Sequence, residues 1–264
     1  MNHFRKIWRE KQMPCRIGTT SYIIPAEILP NLHFIKDIVE DVELVLFESD
    51  EYSNLPSKSD VREMAIIADD AGLSFTVHLP LDAWPGALDE GEREKSVRKW
   101  LRVMELMAPV SPFGWVVHLN DPPGEDQGWD NWLAQCGKTI DTLFSYADPN
   151  NLCIETLSYD FGRVFPLVAE KGCSVCMDIG HLILTDRNVP ACLDAWLEHT
   201  RVVHLHGVNA DGRDHVDLTH LEPRLLNHII TTLKDSGHLP RVLTLEIFSL
   251  DDLEASLSVL ENTL

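Results

Sequence analysis

Short apolar runs rich in β-branched residues recur along the chain. They are CRIGTTSY (15–22), VELVLFES (42–49), LSFTVHLP (73–80), GWVVHLN (114–120), LCIETLS (152–158), CSVCMDIGH (173–181), RVVHLHGV (201–208) and RVLTLEIF (241–248). Most are nearly continuous rather than alternating, as expected of strands covered on both faces. Between them, apolar residues recur at helical spacing. This is seen in SDVREMAIIADDAG (59–72), REKSVRKWLRVMELM (93–107), WDNWLAQCGKTIDTLFSYA (129–147), FGRVFPLVAEKG (161–172), PACLDAWLEHT (190–200) and LLNHIITTLKDSG (225–237). The first of these closes on Gly72, suited to a left-handed C-cap. Eight strands alternating with roughly eight helices predict an α/β fold, a single-domain (β/α)8 TIM barrel. A doubly wound sheet is the second choice. It is disfavoured because the runs close at eight and no Gly-rich phosphate turn follows the first.

The 264 residues suffice for one such barrel, spanning 15–264 after a tail at 1–14. The tail, MNHFRKIWREKQMP, is basic and has no apolar segment of a signal peptide, so it is expected to be loose. No apolar run approaches the ~18–20 residues that span a bilayer. Cys173 and Cys176 have CxxC spacing, but in a strand they face opposite sides. With the other four cysteines they read as buried thiols of a reducing cytosol, and the expected location is cytoplasmic. The formal net charge of −20 disfavours nucleic acid, whose phosphates demand Lys and Arg. The expected partner is a small-molecule substrate, with no membrane. The oligomeric state is not legible.

In such barrels active sites lie at the C-terminal ends of the strands, and there the acids and histidines collect. Glu48 ends the second run, His78 the third and His118 the fourth. Glu155 lies in the fifth, Asp178 and His181 end the sixth, His204 and His206 lie in the seventh, and Glu246 in the eighth. His204 and His206, two apart, share a face. A lone strand-end histidine is usually a hydrogen-bonded core or surface residue. A carboxylate inside an apolar run such as CIETL or LTLEIF needs a cation or donors. Convergence at one mouth points to a divalent metal, and mixed carboxylate and imidazole donors suit Zn²⁺, Mn²⁺, Fe²⁺ or Co²⁺. After the seventh run, VHLHGVNADGRDHVDLTH (203–220) adds His215. Asp211, Asp217 and His220 read there as loop and helix-start residues, with Asp217 or Thr219 suited to capping.

VHLP around His78, IET around Glu155, MDIGH around Asp178 and His181, HLH at 204–206, GRDH ending in His215 and LEIF around Glu246 resemble the xylose-isomerase-like barrels. That superfamily includes the endonuclease IV type of abasic-site nucleases. The resemblance covers 15–248 and implies one to three divalent ions. It implies a shared ligand core of Glu155, Asp178, Glu246 and one of His204 and His206. His78, His118, His181 and His215 would be the added ligands of trinuclear members. One departure is clear: the nucleases carry an aspartate two residues before the loop histidine, where this chain has Arg213, with Asp214 adjacent to His215 instead. A mononuclear or dinuclear site is therefore as consistent with the resemblance as a trinuclear one.

The superfamily contains isomerases and epimerases, which move a proton beside a carbonyl, and phosphodiesterases, which use metals to bind phosphate and activate water. Glu155 and Glu246 would act as acid and base in the first or as bridging ligands in the second. Together with His215 they are the candidate catalytic residues. The number of histidines favours hydrolysis. IGTTSYIIPAEILPN (17–31), VELVLFESDE (42–51), HLPLD (78–82) and GRDHVDL (212–218) further resemble the cobamide-remodelling phosphodiesterases. That resemblance implies cleavage of the nucleotide loop of vitamin B12-class cobamides to an α-riboside and cobinamide phosphate. Tyr22, Glu48, Trp84 and Arg213 are the candidate substrate contacts. Trp84, Trp115, Trp129 and Trp132 gather near the third and fourth strand ends and form either an apolar wall for a corrin ring or, for the last three, core and helix face. The alternatives are a metal-dependent sugar or inositol isomerase or epimerase, and a non-catalytic metal or corrinoid binder.

Overall fold

The computed structural model describes residues 4–49, 52–124, 128–237 and 241–264. Eight parallel strands close into a barrel in sequence order: β1 Cys15–Thr20, β2 Asp41–Val45, β3 Ser74–His78, β4 Gly114–Val117, β5 Leu152–Glu155, β6 Ser174–Asp178, β7 Thr200–Leu205 and β8 Arg241–Leu245. Closure is made by β1 against β8, from Cys15 opposite Arg241 to Thr19 opposite Leu245. Each strand falls inside, or within a residue of, one of the eight apolar runs.

The helices are α1 Phe4–Glu10, α2 Ile28–Ile35, α3 Lys58–Ala71, α4 Glu90–Met107, α5 Trp129–Leu143, α6 Phe165–Lys171, α7 Ile179–Leu184, α8 Val189–Trp196, α9 Pro223–Asp235 and α10 Leu250–Thr263. Helix α3 starts in a full capping box between Ser57 and Asp60 and ends on Gly72 at φ 63°, as its sequence predicts. The 161–172 segment divides, a 3-10 turn at Phe161–Arg163 preceding α6, in which Pro166 occupies the first turn where a missing N–H costs nothing. Helices α1, α2, α7 and α10 lie outside the six segments picked out by periodicity.

The N-terminal segment departs from its expected looseness. Phe4 and Trp8, one helical turn apart, are both buried, and Trp8 Nε1 donates to the Cys15 carbonyl at 2.7 Å. Arg5 donates to the carbonyls of Lys36, Ala71 and Gly72, capping the C-terminal ends of α2 and α3. Arg9 pairs with Glu40 at 2.5 Å. This end of the chain belongs to the barrel.

Side chains alternate along each strand between the helix layer and the barrel interior. The helix-facing side forms the main core. The interior is divided by chemistry: Val116, Cys153, Cys176 and Val202 from β4 to β7 make a small apolar cluster. On the other side Asp41, Glu43, Thr76 and Thr244 are fully buried polar residues. All six cysteines are free and buried. Among the described residues no helix is long and apolar enough to cross a membrane.

Candidate metal centre

Six strand ends bring their polar residues to one mouth. His78 is the last residue of β3. Its Nδ1 lies 3.0 Å from the Leu79 carbonyl, so Nε2 is turned inward, 3.3 Å from Glu155 Oε2. His118 follows β4 and places Nε2 2.7 Å from the same oxygen. Glu155 ends β5, almost fully buried between them. His78, His118 and Glu155 thus offer three ligand atoms within 4.8 Å of one another.

Asp178 ends β6 and is also the N-cap of α7. Its Oδ1 accepts from the His181 N–H at 2.6 Å, and its own N–H donates to Thr156 Oγ1 at 2.9 Å. The Asp-x-x-His spacing therefore has a local cause: the cap that starts the helix also fixes the histidine on its first turn. His181 Nδ1 then sits 3.4 Å from Glu155 Oε1 and 3.6 Å from Asp178 Oδ2. The intervening glycine is required as well. A Cβ on Gly180 would lie 1.9 Å from the His206 ring.

His206 follows β7 and places Nε2 3.3 Å from Asp178 Oδ1. The loop after it folds back through a bridge between Gly207 and Val216, and a Cβ on Gly207 would meet the Asp217 carbonyl at 2.2 Å. This return brings His215 over His206, ring centroids 4.3 Å apart. His215 holds a left-handed φ of 51°, an uncommon state for a side-chain-bearing residue. It is fixed by its N–H donating to His206 Nδ1 at 3.0 Å and by Nδ1 lying 3.1 Å from the Glu246 carbonyl. Glu246 follows β8. Its Oε2 is 3.6 Å from His215 Nδ1 and 3.9 Å from His206 Nε2.

His206, His215 and Glu246 form a second close group, and His181, Asp214 and His215 a third. Asp214, adjacent to the loop histidine, thus reaches the mouth although Arg213 holds the position two residues before it. Asp217 caps the 3-10 turn at Leu218–His220. Asp211 and His220 are exposed on the loop.

Burial opposes ionisation of these carboxyls, but histidine neighbours win. His118, with His181 and His78, holds Glu155 well below the usual carboxylate range, and His206 with His204 and His181 does the same for Asp178. Burial would lower the histidines, yet Glu155 raises His78 to about 9, and Glu155 with Asp178 raises His181 to about 10. His204 and His206 are raised too, burial being outweighed by Cys176, Glu246 and Glu43 at the first and by Asp178 at the second. In the metal-free protein, protons on imidazoles serve as the counter-charge to buried carboxylates.

The donors fit a divalent cation. Most are carboxylate oxygens and imidazole nitrogens, with Cys176 Sγ close to Glu155 and His204, and Glu246 Oε2 is fully buried without a hydrogen-bond partner. Glu155, Asp178, Glu246, His78, His118, His181, His206 and His215 could all contribute. His204 could contribute as well: fully buried, it sets Nε2 2.8 Å from Glu43 Oε2 and turns Nδ1 to the carboxylates, 3.1 Å from Glu246 Oε2, 3.6 Å from Asp178 Oδ2 and 3.8 Å from Glu155 Oε1. Glu43 itself is a site residue that the sequence reading misses. A carboxylate inside the apolar run VELV is the available signal, the same that marks Glu155 and Glu246.

The candidate substrate contacts separate. Trp84 is 41% exposed, yet its loop is pinned: Trp84 N–H donates to Ser96 Oγ at 2.7 Å, and Asn120 Nδ2 donates to the Ala83 carbonyl at 3.1 Å. Trp115, Trp129 and Trp132 are buried and form no open wall. Trp129 and Trp132 pack against each other and Tyr159. Tyr22 lines a cavity of about 410 Å³ with Ile24, Pro25, Phe248 and Leu250. It adjoins the metal centre through Phe248, whose ring is 5.4 Å from that of His215. Arg213 is exposed on the loop beside Asp214. Glu48 does not end β2, which stops at Val45. It sits three residues on, in a loop bridged to Ser53, and pairs with Arg102 of α4.

Residues 35–263 match the sequence model of a family described as xylose isomerase-like TIM barrel. No curated protein matches the chain in sequence. Among solved structures, the chain is similar to a D-tagatose 3-epimerase-like protein, with TM-score 0.75, 18% identity and coverage of 94% of this chain and 96% of that one. It is similar to an IolI protein with a bound zinc atom, with TM-score 0.72, 11% identity and coverage of 94% and 97%. It is also similar to endonuclease IV from Thermus thermophilus, with TM-score 0.65, 18% identity and coverage of 94% and 99%.

Proposed function

This chain belongs to the xylose isomerase-like TIM barrel family, and from that membership we infer a divalent-metal-dependent enzyme that hydrolyses a small-molecule phosphodiester. The substrate class we propose is the cobamides, cut in the nucleotide loop. The observation that carries this reading is the number of imidazoles around the carboxylates. His78 and His118 flank one side of Glu155, and His181, His206 and His215 gather on the side of Asp178 and Glu246. Proton transfer beside a carbonyl needs fewer ligands than this. When bound, divalent ions here would neutralise phosphoryl charge and make water a better nucleophile.

The protein's own residues would do the rest. Glu155, with one oxygen toward His78 and His118 and the other toward His181, would hold metal together with those histidines. Asp178, Glu246, His206 and His215 complete the second side. The exposed Arg213 is available to a phosphate oxygen. Trp84 and the cavity of Tyr22 and Phe248 offer apolar surface to either side of the centre, suited to a bulky ligand with one phosphate and many amides. In the balanced reaction, water's oxygen bonds to phosphorus, the phosphorus–oxygen bond to the riboside breaks, and a proton passes to the leaving oxygen.

The test is incubation of zinc- or manganese-loaded protein with adenosylcobalamin, with and without chelator, reading products by mass spectrometry. Metal-dependent α-ribazole and cobinamide phosphate are expected, and their absence across Zn²⁺, Mn²⁺, Fe²⁺ and Co²⁺ overturns the cobamide reading. Glu155→Gln should cost more metal affinity than the ~10–100-fold loss typical of an outer-shell partner, and activity with it. Full turnover in a folded, metal-loaded Glu155→Gln variant would refute the mechanism. The second reading, a sugar or inositol epimerase with Glu155 and Glu246 as acid and base, is favoured by the likeness to the D-tagatose 3-epimerase-like protein. It requires exchange of a carbon-bound proton with solvent and no phosphate chemistry.

A further inference from the structure

After β3 the chain crosses the barrel mouth as the loop 79–89, which starts directly after His78. Surface loops ordinarily leave their polar backbone groups to water and stay mobile. Here side chains of neighbouring elements take those groups up. Trp100 and Lys99 of α4 donate to the carbonyls of Pro80 and Asp82, at 3.1 and 3.2 Å. Arg93, also on α4, donates to those of Ala87 and Leu88, at 2.6 and 2.9 Å. Asn120, two residues beyond His118, donates to those of Leu81 and Ala83, at 2.5 and 3.1 Å. Thr139 of α5 donates to that of Pro85 at 2.8 Å, and Ser96 Oγ accepts from the Trp84 N–H at 2.7 Å. Gly86 closes the fit, since a Cβ there would stand 2.2 Å from Trp132 Nε1. So many fixed contacts leave the loop little freedom to open locally.

What this frame presents outward is apolar: Leu81, Trp84 and Leu88 are exposed. Of the seven tryptophans only Trp84 is exposed, and among the described residues its indole has no aromatic neighbour and its Nε1 no hydrogen bond. We propose that the loop is a preformed platform on which Trp84 stacks a flat heteroaromatic ring of the substrate. Trp84 is then a specificity-determining residue and Ser96 a positioning residue that acts through it. The occupant rests on the reading of a small-molecule phosphodiester bound at the adjoining centre. A flat π-face is matched by a flat ring, and an aromatic already fixed in place loses little entropy on stacking. The net charge of −20 opposes a long polyanion whose successive bases could stack in the same way. The ring therefore belongs to a ligand with few phosphates.

The experiment is calorimetric titration of the Zn²⁺-loaded full chain with ribose 5-phosphate, adenosine 5′-phosphate and the 5,6-dimethylbenzimidazole riboside 5′-phosphate. The two base-bearing ligands are expected to bind ~10–100-fold tighter than ribose 5-phosphate. Trp84→Ala should erase that advantage and Trp84→Phe keep most of it, with the number of ions bound per chain unchanged in both. Ser96→Ala, which unties the Trp84 N–H, should weaken the base-bearing ligands and leave ribose 5-phosphate as it was. Equal affinity for all three ligands in the wild-type protein overturns the proposal, and a Trp84-dependent dimer in sedimentation would then assign the loop to a second copy of the chain. An advantage that survives in Trp84→Ala overturns it too. So does a loss in that variant that extends equally to ribose 5-phosphate and is not restored by phenylalanine, which marks a structural residue. Unchanged affinities in Ser96→Ala would remove its positioning role. Cleavage of adenosylcobalamin is scored separately: a Trp84-dependent preference for the base in protein that cleaves no cobamide leaves the platform standing and sinks the cobamide reading alone.

Discussion

At the scale of single residues, the site depends on small groups as much as on ligands. Gly180 leaves the space that the His206 ring occupies, 1.9 Å from where a Cβ would stand. Gly180→Ala should cost ~1–3 kcal/mol of stability through overpacking and weaken Zn²⁺ binding, checked by denaturant melts and metal titration. Unchanged binding would mean that His206 is not a ligand. Protonation gives a second expectation. His78 and His181 have folded values of about 9 and about 10, above the ~6.5 of an unfolded histidine. Their stabilising contribution is therefore complete below pH ~6.5 and is lost as pH rises through 9 to 10. The depressed carboxyls Glu155 and Asp178 contribute above the unfolded carboxylate range and lose that contribution in acid. These are two views of one set of contacts. Metal-free protein should accordingly melt lower at pH 10 than at pH 6.5. Because metal displaces the imidazole protons, Zn²⁺ binding should release protons, seen as buffer-dependent heats in calorimetry, and no such dependence would contradict it. Glu155, Asp178 and Glu246 were legible in the sequence because a carboxylate in an apolar run must have a partner. Glu43 sent the same signal from VELV. What it lacked was any mark of its partner, His204, which lies on a strand across the barrel.

At the scale of elements, strand positions followed from β-branched apolar runs, and helices α3, α4 and α9 from their amphipathic spacing. Three of the missed helices, α1, α2 and α7, have eight residues or fewer. Helix α7 spans only Ile179–Leu184 and begins inside an apolar run, so its first residues, up to His181, read as strand continuation. Helix α1, seven residues long, is too short to be stable on its own propensity and is held by Phe4, Trp8 and the caps that Arg5 provides. Trp8→Ala should destabilise the protein by ~3–5 kcal/mol, measured by denaturant unfolding, while leaving Zn²⁺ stoichiometry unchanged. A variant with native stability would show that α1 does not dock. The loop after β7 illustrates the opposite case. Its histidine is visible in GRDH, but the return that seats it depends on Gly207, on the bridge to Val216 and on a left-handed φ at His215.

At the scale of the whole molecule, a net charge of −20 on 264 residues sets the long-range field against polyanions. Metal-loaded protein should neither bind nor nick abasic duplex DNA at ~0.1 M salt, where a gel shift would reveal binding, and cleavage would reopen the nuclease reading. The sequence by itself determined the barrel, since eight apolar runs separated by amphipathic stretches can bury both faces in few other ways. It also determined which strand ends carry acids and histidines, because alternation is a local property of the chain. Only the tertiary structure decided depth and partnership. His204 and His206 share a face and both reach Asp178, yet closing the barrel sets the far edge of one ring against Glu43 and brings His215 over the other. Trp132 and Trp84 both lie near strand ends, yet packing buries the first and leaves the second open. Such differences arise from contacts between residues far apart in sequence, fixed by strand stagger and barrel closure.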